Sequence, residues 1–202
     1  MAVQPRADRD PGLHHPHVAA VVAGPLKLGA QSLAVAGVGF LASLLVWTLT
    51  HGTPPPKAGA RAPAFSLPRL TGKGSVSLHS LRGKTVVLNF FASWCAPCKR
   101  EAPALESLWR RSRSEGVVVL GIDSGDARGD ARRFLGAHGV TYPIAFDPGE
   151  KLAQGAYAVP GLPVTYVINR AGRVVGSPVL GPVSDSAYSR EFTRELKAAR
   201  TA

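Results

Sequence analysis

Two cysteines, the only two among 202 residues, stand three positions apart in Trp94-Cys95-Ala96-Pro97-Cys98. No other feature narrows the fold as much. A disulfide across so short a loop hardly constrains the unfolded chain, so it is a poor staple. A zinc site would need two further ligands, and the sequence has neither a second cysteine pair nor a spaced histidine pair. A reversible disulfide remains. Thr85 to Phe91, a nearly continuous apolar run ahead of the pair, predicts a strand buried on both faces. A helix is predicted from about Cys95 to Ser114. Its unpaired N–H groups and macrodipole favour a thiolate at Cys95. Pro97 suits a first turn, where its fixed φ helps and its missing N–H costs nothing. Cys95 is therefore expected to be exposed and nucleophilic. Cys98, one turn inward, is expected to be the shielded thiol that resolves a mixed disulfide.

The chain around this centre alternates between strand and helix signals. Ala64 to Leu67 and Val76 to Leu78 flank the turn residues Thr71-Gly72-Lys73-Gly74. After Glu115-Gly116, Val117 to Ile122 predicts a second buried strand, and Ala127 to His138 a helix closed by Gly139. A short strand (Tyr142 to Phe146) and a short helix (Glu150 to Tyr157) follow. Val164 to Ile168 and Arg173 to Val175 flank a hairpin turn, and a last helix, capped by Ser184 or Asp185, runs to about Ala199. Pro103, inside the first helix of the domain, removes a hydrogen bond and predicts a kink. This alternation indicates an α/β fold with a central mixed β-sheet flanked by helices.

Residues Met1 to Lys27 combine four prolines with scattered charges and no apolar period, the signature of a disordered tail. Its His14, His15 and His17 read as incidental rather than as a metal site. Leu28 to Thr50 carries no charge, and about 20 residues of helix match a bilayer's hydrocarbon core. The run is longer than the apolar part of a cleaved signal peptide, so an uncleaved single transmembrane anchor over residues 28–50 is expected. Lys27 abuts the span while the first cation after it is Lys57, which favours a cytoplasmic N-terminus and an extracytoplasmic domain. Residues 51–62, with Pro54-Pro55-Pro56, read as a semi-rigid spacer before a domain at 63–202. From Pro63 onward 19 Lys and Arg face 11 Asp and Glu. No basic stripe with interleaved aromatics accompanies that excess, so nucleic acid is not an expected partner.

The segment Trp94-Cys95-Ala96-Pro97-Cys98-Lys99-Arg100-Glu101-Ala102-Pro103 resembles the active site of the thioredoxin-like TlpA/ResA/CcmG group of extracytoplasmic thiol–disulfide oxidoreductases. Leu78 to Lys84, Val119 to Asp123 and Tyr157 to Ile168 fall in the same group's order, so the resemblance covers about Pro63 to Gly181. It implies a thioredoxin-like fold preceded by a single transmembrane helix. The reaction centre would be the Cys95–Cys98 disulfide, with no other cofactor and no metal. Glu101, three residues past Cys98 on one helix face, matches the group's acidic position; it would relay protons to Cys98 or, alternatively, be a solvated helix charge. Pro163 matches a cis-proline whose neighbours Leu162 and Val164, with Trp94 and Pro97, would hold a substrate strand. Asn89 stands where thioredoxins carry a buried aspartate, leaving Glu101 as the acid–base candidate. Val164 departs from the acidic residue of the CcmG branch. The implied partners are disulfide-containing exported proteins such as apocytochrome c, and a membrane electron donor of the CcdA/DsbD type. A general extracytoplasmic reductase and a copper-binding thioredoxin-like chaperone using His138 are the alternatives.

Overall fold

The computed structural model describes residues 26–50 and 54–201, with side chains in the first helix at residue 33 and residues 35–47. The chain divides into two units, Met1–His51 and Gly52–Ala202. In the first, α1 (Leu26–Thr50) is one continuous helix. Leu33, Val35, Val38, Phe40 and Leu41 are all exposed on it, and at 100° per residue these positions step round the whole circumference. Among the described residues no helix is long and apolar enough to cross a membrane. The tail expected before Leu26, with His14, His15 and His17, lies outside the described residues.

The second unit is built around β3 (Thr85–Phe91), every residue of which is buried. It pairs in parallel with β4 (Val117–Ser124) and antiparallel with β6 (Val164–Ile168). The outer strands are β5 (Ile144–Asp147) and β7 (Val174–Val179), giving a mixed sheet in the order β5-β4-β3-β6-β7. Strand period sorts the core into two faces. Val87, Phe91, Val119 and Val167 pack with Ala102 and Leu105 of α2 (Ala96–Ser112), Phe134 of α3 (Arg128–His138) and Phe192 of α4 (Ser186–Thr201). Val86, Leu88, Phe90, Leu120 and Ile122 face the other way. All three helices thus contribute to one face. The β3→β4 and β4→β5 crossovers step in the same direction, and right-handed crossovers then place α2 and α3 on the same side. The second face is closed by Val76 and Leu78, and by Leu152 and Tyr157.

Several elements depart from the sequence expectation. The ribbon of β1 (Ser66–Pro68) and β2 (Ser75–Ser77) stays apart from the main sheet. It approaches β5 through an Arg69–Ala145 bridge and the bond from Leu70 N to the Ile144 carbonyl, 3.0 Å. The short helix expected at Glu150–Tyr157 is a π-helical turn, Lys151–Ala156. Glu150 enters it at φ 53°, and the Asp147 carboxylate accepts from the N–H groups of Leu152 and Ala153. β7 extends to Val179, beyond the expected Val175. The end of the expected spacer is docked: Gly59 N bonds to the Val174 carbonyl, Val174 N to Ala60, and Ala62 N to Gly172.

Candidate active site

The C-terminal end of β3 delivers the cysteine pair. A short turn, Ala92-Ser93-Trp94, leads to Cys95, whose extended backbone (φ −77°, ψ 106°) makes it the N-cap of α2. Its sulfur accepts from the Cys98 backbone N–H at 3.2 Å. The cap role that Ser or Asp commonly fills is therefore taken by sulfur, and the N–H that would stabilise a thiolate already points at it. Cys95 and Cys98 are joined in a disulfide, with Cα atoms 5.3 Å apart. Cys98 is buried as expected, but Cys95 is not the exposed residue that its N-terminal position implied. It is only 5% exposed and joins the apolar cluster against which Leu162 packs. The expectation considered the helix alone, whereas the loop leading into β6 packs Leu162 against the cluster that holds Cys95.

That loop contains the Leu162–Pro163 peptide bond, which is cis. Pro160, Gly161, Leu162, Pro163 and Val164 line one groove together with Leu180 and Gly181. A second depression joins Leu162 and Val159 to Trp94 and Gln154. Trp94 and Leu180 are the large apolar side chains of this domain that remain more than half exposed among the described residues, at 61% and 53%. Pro97 is half-buried, and Val164 is buried with its register fixed opposite Phe90, so its side chain offers nothing to a ligand.

Glu101 is 1% exposed, which rules out a solvated helix charge. Asn89 Nδ2 donates to its Oε1 at 2.7 Å and to Thr165 Oγ1 at 3.0 Å, and Val183 N donates to its Oε2 at 3.1 Å. Burial pushes the Glu101 carboxyl up to about 7, outweighing these two bonds, which favour the anion; Asp185 adds a smaller upward push. Asn89, on the central strand, thus serves as the donor that holds Glu101 in place. Glu101 and Cys98 share a helix face, with Cβ atoms about 5–6 Å apart at this spacing.

Sequence reasoning missed the loop after β4. Asp126 accepts from Ser93 N at 2.7 Å, Ser93 Oγ at 2.9 Å and Ala127 N at 3.0 Å. Trp94 Nε1 donates to the Gly125 carbonyl at 3.3 Å. These bonds tie the turn before Cys95 to a loop more than 30 positions away, and no local signal in the chain announces them. Beside it, Asp123 is fully buried with no donor to either carboxylate oxygen. Burial, and then the neighbouring Asp126 carboxylate, push it up to about 8. His138 packs against Phe134, with ring centroids 4.6 Å apart and planes tilted by 48°. Among the described residues no group of three His, Cys, Asp or Glu gathers as metal ligands.

With this geometry in hand, comparison with known proteins is decisive at the family level. The AhpC/TSA family model matches residues 58–177, more than half of the chain. The chain belongs to the AhpC/TSA family. This AhpC/TSA-family domain is 35% identical over 128 residues to the thiol-disulfide oxidoreductase ResA of Bacillus subtilis, covering 63% of this chain and 70% of that one. With the ResA protein of Bacillus anthracis it shares 35% identity over 117 residues, 58% and 66% of the two chains. The chain thus spans about two thirds of the length of the curated relatives it matches. A thiol:disulfide interchange protein of the thioredoxin family from Chlorobium tepidum superposes with TM-score 0.59 at 28% identity, covering 73% of this chain and 98% of that one. A secreted thiol-disulfide isomerase from Corynebacterium glutamicum gives 0.62 at 26%, covering 70% and 86%. The thioredoxin-like fold expected from the motif is confirmed.

Proposed function

We propose that the protein is a thiol–disulfide oxidoreductase that reduces disulfides of exported proteins. The observation that carries this reading is the disulfide at the N-terminus of α2, its Cys95 sulfur already facing a backbone N–H, beside an apolar groove. In the reduced enzyme the Cys95 thiolate attacks one sulfur of the partner's disulfide and the partner's other sulfur leaves as a thiolate. Cys98 then attacks Cys95, the partner's second thiolate departs, and Cys95–Cys98 is oxidised. Two electrons pass to the partner, and two protons follow them. Glu101 supplies or takes the proton of Cys98, because a carboxyl held near 7 is populated in both forms at neutral pH. Trp94, Pro97, Leu162 and Pro163 hold the partner strand, with Val164 contributing main chain only.

The partner we infer is an exported protein with an oxidised cysteine pair, apocytochrome c during cytochrome c maturation being the leading case. Electrons return to Cys95–Cys98 from a membrane donor of the CcdA/DsbD type. The membrane anchor we infer rests on the sequence alone: residues 28–50 carry no charge and Lys27 precedes them, which supports a cytoplasmic N-terminus and an extracytoplasmic catalytic domain. Cys98→Ser tests the exchange chemistry, since it leaves Cys95 able to attack but removes the thiol that releases the partner. Mixed disulfides recovered from membranes are expected, and none would sink the mechanism. The direction of flow rests on the reduction potential. About −270 mV or lower supports a reductant, and a value near about −120 mV overturns it.

A further inference from the structure

Charge is distributed unevenly along the strand axis. Between Gly52 and Arg100, and again between Lys151 and Ser184, the chain contains no Asp or Glu. Contacts around the N-terminal end of β3 gather the cations of these stretches with others. Gly83 N bonds to the Arg170 carbonyl, Thr85 N to Gly116, and Thr85 Oγ1 to Ala199. Arg173 Nη1 bonds to the Gly59 carbonyl at 2.8 Å. One end of the domain therefore collects Lys57, Arg61, Arg82, Lys84, Arg113, Arg170, Arg173, Lys197 and Arg200, all exposed. A single side-chain carboxylate belongs to the same set of segments: Glu115, paired with Arg200. None of the other eight cations forms an ion pair among the described residues. The C-termini of α2 and α4 add partial negative charge here, far less than the nine cations carry.

Shape reinforces charge. A depression at this end has an apolar floor of Ala62, Leu78, Val86 and Ile168, and its rim carries Arg61, His79, Arg82 and Lys84. The disulfide lies at the opposite end of β3, whose seven residues span about 20 Å. A multivalent cationic end with one carboxylate, Glu115, and an apolar recess fits an anionic lipid surface, where each nearby Lys or Arg adds to binding through the negative surface potential. A nucleic-acid surface would carry aromatics to stack on bases, and among the described residues the exposed Trp94 lies at the other end. We propose that this end of the domain docks on anionic phospholipid and holds the disulfide away from the bilayer surface, facing incoming protein substrates. The contact is independent of α1, because the domain's own side chains make it.

The test uses the full chain with Cys95 and Cys98 replaced by Ser, and one fluorophore attached at Ala171→Cys in the cationic end or at Ala127→Cys at the disulfide end. Both positions are exposed. The protein is reconstituted in discs of phosphatidylcholine, alone or mixed three to one with phosphatidylglycerol, carrying a headgroup quencher. Quenching at position 171 is expected in the anionic discs only, lost at about 1 M salt, where the Debye length shrinks from about 8 Å to about 3 Å. Arg82→Gln/Lys84→Gln/Arg170→Gln should weaken it about a hundredfold, roughly fivefold for each cation removed. Absence of quenching at 171, equal quenching in neutral discs, or stronger quenching at 127 would each overturn the proposal. So would competition by a single-stranded oligonucleotide at matched charge, which would reassign the surface. Insertion of α1 with position 171 silent would reject the docking end while leaving the anchor intact.

Discussion

Replacing Glu101 by Gln offers the sharpest reading of the buried network. The Glu101 carboxyl titrates near 7 in the folded chain and near 4.5 unfolded. Between those values the folded state keeps a proton that the unfolded state has released. Stability therefore falls as pH rises through this window, and is flat with respect to this group on either side. A shift of roughly 2.5 pH units corresponds to about 3 kcal/mol, a substantial part of the roughly 5–15 kcal/mol that holds a typical domain together. Gln cannot titrate, so that loss disappears in the variant. An amide also fits the site: Asn89 can turn its own amide so that its oxygen accepts from the introduced side-chain NH₂, while the Thr165 hydroxyl donates back. The stability difference between Glu101→Gln and the parent should grow by about 3 kcal/mol from pH 4.5 to 7.5, in favour of the variant. Urea denaturation of the oxidised proteins across this range reads the difference directly. Packing changes cancel because they are independent of pH, and Asp123 and Glu195 titrate alike in both proteins. A difference that stays flat, or that shrinks as pH rises, would refute the burial argument and, with it, the proton-transfer role of Glu101.

Asp126→Ala strips the acceptor from Ser93 N and Oγ, and should cost about 1–3 kcal/mol in urea denaturation, while Asp126→Asn, keeping one acceptor oxygen, should recover part of it. Gly176→Ala drives a Cβ into the Glu195 carboxylate at a backbone φ of +69°, so melting should reveal a loss of about 2 kcal/mol or more. A companion Glu195→Ala change should restore the steric share of that loss. Leu180→Glu should raise KM for a peptide disulfide with kcat unchanged, because Leu180 lines the groove but lies outside the exchange chemistry; a fall in kcat alone would remove it from substrate binding.

How much of this was legible in the chain depended on the range of the forces involved. β3 and β4 were readable because strands buried on both faces must be apolar at successive positions, and Thr85–Phe91 and Val117–Ile122 are. The helix start was readable because a proline in the first turn and the cysteine spacing are local facts. The far end of β7 was not, since Gly176 and Pro178 argue against a strand unless it is known to lie at an edge. The π-helical turn was hidden for a similar reason. It depends on the Asp147 carboxylate catching two N–H groups and on Glu150 adopting a left-handed backbone. Within the site, Cys98, Glu101 and Pro163 were placed by motif, whereas the burial of Cys95 and the grip of Asp126 on Ser93 arise from loops distant in sequence.

The segment leading into the domain has a consequence for solubility. An open sheet exposes two rows of unpaired backbone groups, each a template on which another chain can add a strand. Here Ala60 to Ala62 occupy the start of the β7 edge, and Arg69 and Leu70 bridge to β5, where Arg128 Nη1 binds the Arg69 and Leu70 carbonyls at 3.0 Å. Pro178 removes a further donor from β7. A stretch of about a dozen residues thus touches both borders of the sheet. A protease cut near Lys57 or Arg61 would leave the disulfide chemistry intact and open the sheet to self-association.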